Sequence, residues 1–184
     1  MAARLGAAVD ASLDLYPRSR SHQLLTFAKG GEPVRETADI RELLQESVTF
    51  SLRGSKVSYQ LNIAPGLWSV RFDRGQMNQV IRNLVINAEQ AMPEGGTITI
   101  AAENVQVDTG ELLPLDPGPY VSILVHDTGC GIPREIQKRI FEPFFTTKEK
   151  GSGLGLAVAH SIVKKHNGYL DVYSELGCGT TFSL

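Results

Sequence analysis

Apolar residues recur along this chain with two periods, and the switch between the periods marks out its elements. Ile40, Leu43, Leu44, Val48 and Phe50 stand at helical spacing behind Asp39, a side chain suited to an N-cap. A longer helix is predicted from Asp73 to Met92. Met77, Val80, Ile81, Leu84, Val85, Ala88 and Ala91 form its buried stripe, Asp73 is its cap, Gln76 is a capping-box partner, and Pro93-Glu-Gly-Gly96 is its stop. Period-two alternation predicts strands at Val57–Ile63 and Trp68–Phe72, turned by Pro65-Gly66. Further strands are predicted at Thr97–Val107, Tyr120–Val125, Tyr169–Ser174 and Thr180–Leu184, with a Pro/Gly/Asp-rich loop over Asp108–Pro119. Pro133 opens a short helix, Arg134–Ile140, and Leu156–His166 is a helix closed by Asn167-Gly168. Helices interleaved with hairpins predict an α/β sandwich, a sheet with its helices on one face.

Residues 1–32 are patterned differently. Leu5, Val9, Leu13 and Leu15 outline a weak helix that Pro17 interrupts, and His22–Lys29 resumes it until Gly30-Gly31 and Pro33. This stretch reads as the tail of a helix leading into a domain over residues 33–184. The 184-residue length suits one domain, and the net charge of −2 carries no basic stripe for nucleic acid. No apolar run approaches the ~20 residues of a membrane span, and no secretion signal is present, so no membrane contact is expected. Cys130 and Cys178 belong to no Cys/His cluster; they read as reduced thiols of a cytoplasmic protein rather than a zinc site.

Four stretches carry chemistry. Asn83 and Asn87, four apart, stack along the edge of the long helix's apolar stripe. They suit capping of neighbouring backbone, or oxygen donation to a hard cation such as Mg²⁺ and polar contact with phosphate. Asp127 ends an apolar strand and is followed by Gly129 and Gly131. Its carboxylate can accept from an exocyclic amine, as a site selecting adenine over guanine requires, and the glycines would let a base or ribose lie against backbone. Asp-Thr-Gly is also a tight-turn sequence and the local pattern of aspartic proteases, but one copy would need a dimer and leaves the asparagines unexplained. Gly151, Gly153, Leu154 and Gly155 run straight into a helix, where backbone N–H groups face an anion; the run is neither a Walker A loop nor a dinucleotide fingerprint. Phe141-Glu-Pro-Phe-Phe-Thr-Thr-Lys148 reads as a mobile flap with an apolar anchor and a cationic tip, or as a surface loop with Phe144 and Phe145 in the core.

In order, these stretches resemble the N box, first glycine box, F box and second glycine box of sensor histidine kinases, in the GHKL ATPase superfamily. His166-Asn-Gly168 and Gly177-Cys-Gly-Thr-Thr-Phe182 are similar to the family's closing segments. Asn-Ala-Glu-Gln-Ala-Met and Phe-Thr-Thr-Lys most resemble the nitrogen-regulation type. The resemblance implies a Bergerat fold, with a mixed, mostly antiparallel sheet, and ATP with Mg²⁺ as ligands. It implies that Asp127 bonds the adenine amine, through a water shared with Thr180 or Thr181. Asn87 would hold Mg²⁺, Asn83 would contact phosphate or the metal shell, and Lys148 would contact phosphate. Gly151, Gly153, Leu154 and Gly155 would shape the lid. Related gyrase-type ATPases carry a water-activating Glu where Asn83 stands; Asn is no general base, which favours transfer to a histidine over hydrolysis. The implied partners are the dimerisation and phosphoacceptor hairpin of a parent kinase and a response-regulator receiver domain. His22, followed by Gln23, departs from the family's acceptor pattern. The chain therefore reads as a catalytic ATP-binding domain that does not autophosphorylate alone, or as a nucleotide-binding scaffold.

Overall fold

Two sheets and three helices are built from the predicted pattern in the computed structural model, which describes residues 31–109, 114–148 and 151–184. Of the helical linker expected over residues 1–32, residues 1–30 lie outside the described residues. In chain order the elements are β1 (Glu36–Ala38), α1 (Ile40–Ser51), β2 (Val57–Ile63), β3 (Val70–Phe72), α2 (Arg74–Gln90), β4 (Gly96–Val107), β5 (Gly118–Asp127), α3 (Gly155–Lys165), β6 (Asp171–Glu175) and β7 (Gly179–Ser183). The main sheet has the order β2-β4-β5-β7-β6, with β2 and β4 parallel and every other pair antiparallel. All three helices contribute to one core with the sheet, and α2 packs between α1 and α3. The α/β sandwich with a mixed sheet is thus the observed fold.

Alternation along the strands decides what faces that core. Ile98, Ile100 and Ala102 of β4 are buried, as are Ile123 and Val125 of β5. Asp127 continues the same parity and is carried to the same face, where it is 2 % exposed. Met77, Val80, Ile81, Leu84, Val85 and Ala88 of α2 are buried at i, i+3, i+4 spacing, each side chain larger than alanine contributing about 1.5–3 kcal/mol. Ala91, the last residue of the predicted stripe, is half-buried at the helix C-cap.

Three local expectations are corrected. Val57–Ile63 and Val70–Phe72 do not form a hairpin. β2 takes β4 as its parallel neighbour, and β3 pairs with β1, a strand too short for alternation to show. The Asn104 side chain on β4 holds the intervening turn, accepting from Trp68 N–H at 2.8 Å and donating to the Gly66 carbonyl at 3.0 Å. Asp73 does cap α2, accepting from Gln76 N–H at 2.9 Å, but the reciprocal arm of the capping box is not made. The N–H of Asp73 donates instead to His166 Nε2 at 3.0 Å, and the Gln76 amide donates to the Gly31 carbonyl. Residues 134–140 form a string of turns rather than an α-helix, bonded at three-residue spacing from Ile136 to Pro133 and from Arg139 to Ile136.

Candidate functional site

A cleft of about 540 Å³ opens between the C-terminal half of α2, the end of β5, the segment after it, and the start of α3. Its deep end is set by Asp127. The carboxylate accepts from Gly129 N–H at 2.9 Å and sits opposite Thr180 in the β5–β7 register. Burial pushes its pKa up; the backbone N–H groups of Gly129 and Thr180, then His126 and Lys148, oppose that shift. Thr180 is buried beside it, its hydroxyl 3.0 Å from Ser174 Oγ, and lines the cleft. Thr181 alternates to the opposite face of the sheet, where its hydroxyl meets His126 Nδ1 at 3.0 Å.

The two glycines after Asp127 answer to the chain itself. A Cβ on Gly129 would lie 2.7 Å from Ala91 Cβ and 2.8 Å from the Asp127 carboxylate. Gly131 has φ +75°, and a Cβ there would overlap the Glu175 carbonyl oxygen. Gly129 lets β5 pass under the end of α2, and Gly131 lets the following segment cross β6. Of the two, Gly131 lines the cleft. The sequence reading assigned both to ligand approach; the protein's own packing already requires them.

At the other end, Asn83 donates through Nδ2 to the Gly155 carbonyl at 2.9 Å, tying α2 to the first residue of α3. One turn on, Asn87 donates through Nδ2 to the Asn83 carbonyl at 2.8 Å. That bond turns Asn87 Oδ1 outward, where it accepts from Lys148 Nζ at 3.1 Å. Lys148 also donates to Gln90 Oε1 at 2.6 Å. Desolvation draws the Lys148 pKa below its ordinary value, opposed by Cys130 and Asp127. A lysine ammonium on Asn87 Oδ1 shows that this oxygen accepts a cation, so the donor chemistry fits Mg²⁺. Helix α3 starts without a side-chain cap and with no acidic residue in its first turn. Its unpaired N–H groups therefore leave an anion-attracting end against the cleft.

Between the two ends runs the aromatic segment. Phe141 packs into the core, 5.2 Å from the His160 ring and 6.5 Å from that of Phe182. Phe145 is partly buried under the Arg139 guanidinium, 4.5 Å from its ring centroid. Phe144 is not in the core: it is 50 % exposed with φ +67°, and its N–H donates to the Gly153 carbonyl at 2.8 Å. Gly151, Gly153 and Gly155 line the cleft, whereas Leu154 caps the start of α3 behind it. The sequence reading missed Gln90, although it stands three residues from Asn87 and helical periodicity points it the same way. It also missed Ser174 and Gln137, which hold Ile132 to β6 through Ile132 N–H to Ser174 Oγ and the Gln137 amide to the Ile132 and Ser174 carbonyls. No periodicity marks those two. Among the described residues, no cluster of three or more His, Cys, Asp and Glu could hold a metal, and no helix is long and apolar enough to cross a membrane.

Residues 72–184, more than half of the chain, match the family described as histidine kinase-, DNA gyrase B- and HSP90-like ATPases. The chain belongs to this family. It is 40 % identical over 169 residues to sensor kinase CckA of Brucella abortus (strain 2308), covering 88 % of this chain and 18 % of that protein. To sensor histidine kinase ZraS of Escherichia coli (strain K12) it is 33 % identical over 165 residues, covering 88 % of this chain and 33 % of ZraS. The chain thus spans 18 % to 33 % of the length of these relatives. Among solved structures it resembles the mycobacterial sensor histidine kinase MprB, with TM-score 0.67, 28 % identity and coverage of 82 % of this chain and 95 % of that one. It also resembles the catalytic domain of histidine kinase ThkA, with TM-score 0.65, 29 % identity and coverage of 81 % and 92 %. The sandwich is the Bergerat fold of these ATPases.

Proposed function

We propose that this chain is the ATP-binding catalytic domain of a two-component sensor histidine kinase. It would pass the γ-phosphate of ATP to a histidine on a dimerisation hairpin, for relay to the aspartate of a response regulator. The single observation that carries the reading is the polarity of the cleft. A buried carboxylate closes one end, and an outward amide oxygen, a lysine and a free helix N-terminus close the other. That gradient suits an adenine nucleotide lying base-inward.

Asp127 would accept the adenine amine, helped by the Thr180 hydroxyl. Lys148 and the N–H groups of Gly155 and Leu156 would bind phosphate oxygens. Asn87 Oδ1 would hold Mg²⁺, which supplies charge neutralisation along the polyphosphate when bound. Asn83, tied to Gly155, would fix the start of α3 rather than activate water; an amide does not accept a proton near neutral pH. Positioning and charge stabilisation remain, which suffices for a neutral imidazole nucleophile. The proposed location is the cytoplasm, where ATP and the receiver domain are found.

Two measurements test the reading. Nucleotide titration should show adenine selectivity, and Asp127→Asn should weaken ATP binding about tenfold or more, the worth of one charge-assisted hydrogen bond. Retained selectivity in Asp127→Asn overturns the assignment. Mixing the chain with Mg-ATP and the acceptor hairpin of a parent kinase should then give acid-labile phosphate on the hairpin. Tight binding with no such phosphate would instead make the domain a nucleotide-dependent scaffold.

A further inference from the structure

Lys148 Nζ lies 3.1 Å from Asn87 Oδ1 and 2.6 Å from Gln90 Oε1. The two acceptors are neutral amide oxygens three residues apart on α2, so they share one helix face, and both residues line the cleft. Asn87 cannot turn this oxygen away without breaking the bond from its Nδ2 to the Asn83 carbonyl. Two oxygens converging on one positive centre is a seat for a cation. An ammonium with three donors fills it; so would a hard divalent ion, which takes one or two protein oxygens and completes its shell with water and phosphate.

The ammonium and a divalent ion cannot share that seat. Both would lie about 2–3 Å from Asn87 Oδ1 on its exposed side, within about 4 Å of each other, where like charges repel even at the dielectric constant of water. We propose that Gln90 completes, with Asn87, a two-oxygen cation seat on α2, and that Lys148 is its built-in competitor. Arrival of the divalent cation displaces the lysine, which passes to the anionic phosphates the cation accompanies. The proposal rests on the nucleotide-binding reading of the cleft. It adds a role for Gln90 and an exchange: cation and Lys148 replace each other on α2 instead of binding side by side. The consequence is an affinity penalty for the cation alone, relieved when phosphate gives the ammonium another partner.

The test uses the full chain without nucleotide. Trace Mn²⁺ broadens nearby nuclear magnetic resonances even when the site is seldom occupied, so the side-chain amides of Asn87 and Gln90 report occupancy directly. Lys148→Met should raise apparent Mn²⁺ affinity about thirtyfold, the factor for removing one unit charge about 4 Å from a divalent ion in water. Lys138→Met, which removes an exposed lysine outside the cleft lining, should leave affinity unchanged. Adding Gln90→Leu to Lys148→Met should reverse most of the gain while Asn87 remains the broadened residue. The proposal falls if Lys148→Met leaves Mn²⁺ affinity unchanged or lowers it. It falls equally if Lys138→Met raises affinity as much, or if Gln90→Leu has no effect. ADP titration of the same wild-type sample separates the two levels. Nucleotide binding without competition at α2 removes this proposal alone, whereas absence of nucleotide binding removes the reading beneath it.

Discussion

Asp127 is a carboxylate whose place in the fold costs stability. The strand parity that buries Ile123 and Val125 buries it too, and burial raises its pKa from the ordinary 3.8. Between 3.8 and the raised value, the folded chain keeps a proton that the unfolded chain has released. The stability contributed by this residue therefore falls as pH rises through the folded pKa. Asp127→Asn removes the charge and keeps an oxygen for the Gly129 N–H. The ligand-free variant should melt higher than wild type at pH 7, and the difference should shrink as pH falls below that pKa. Equal or lower stability of the variant at pH 7 contradicts this account. The residue scale was also the most legible in the sequence: Asp127, Asn83 and Asn87 reach one cleft because their parity or helical spacing is fixed by apolar neighbours, whereas Lys148 reaches it from an irregular segment that no periodicity places.

At the scale of elements, the start of α2 is joined to the end of α3 and to the entering chain. One Asp73 oxygen accepts from Gln76 N–H at 2.9 Å and the other from Val34 N–H at 2.9 Å. His166 accepts from Asp73 N–H through Nε2 while Nδ1 lies 2.8 Å from the Ile162 carbonyl. The two contacts require a neutral ring with its proton on Nδ1. Lys165 adds a bond to the Gly31 carbonyl at 3.1 Å, and the Arg35 guanidinium donates to the Lys165 carbonyl. Asp73→Ala should cost about 0.5–2 kcal/mol, the range for an N-cap, measured by urea unfolding. The backbone N–H of Gln76, and then that of Val34, holds the Asp73 pKa below 3.8. Here the fold releases a proton that the unfolded chain retains. The contribution is therefore present above pH 3.8 and is lost as pH falls through the folded pKa, so wild type and Asp73→Ala should converge in strong acid. Sequence patterning foresaw the cap but not this junction. A capping box is a local rule, and its second arm was outcompeted by a histidine from a distant part of the chain. The β2–β3 hairpin failed for the same reason: alternation says that a stretch is a strand, whereas its neighbour is chosen by packing across the whole sheet.

At the scale of the whole molecule, the helices that wall the cleft are the helices of the core. Val80, Ile81, Leu84 and Val85 lie at 0 % exposure on the same helix that carries Asn83, Asn87 and Gln90 on its flank. A ligand spanning the cleft joins α2, α3 and the end of β5, so binding energy is returned as stability of the entire domain. At one hundred times its dissociation constant, an adenine nucleotide with Mg²⁺ should add about 2.7 kcal/mol, equivalent to roughly 5–10 °C in melting temperature. Guanine nucleotide at the same concentration should add far less, because its carbonyl would meet the Asp127 carboxylate where adenine presents an amine. The cost of burying Asp127 and its contribution to binding have opposite signs in the two states. Asp127→Asn should therefore melt above wild type without ligand and below it at saturating ATP. Thermal melts of both proteins with and without Mg-ATP test this reversal; parallel shifts would separate the aspartate from the base it is assigned to hold.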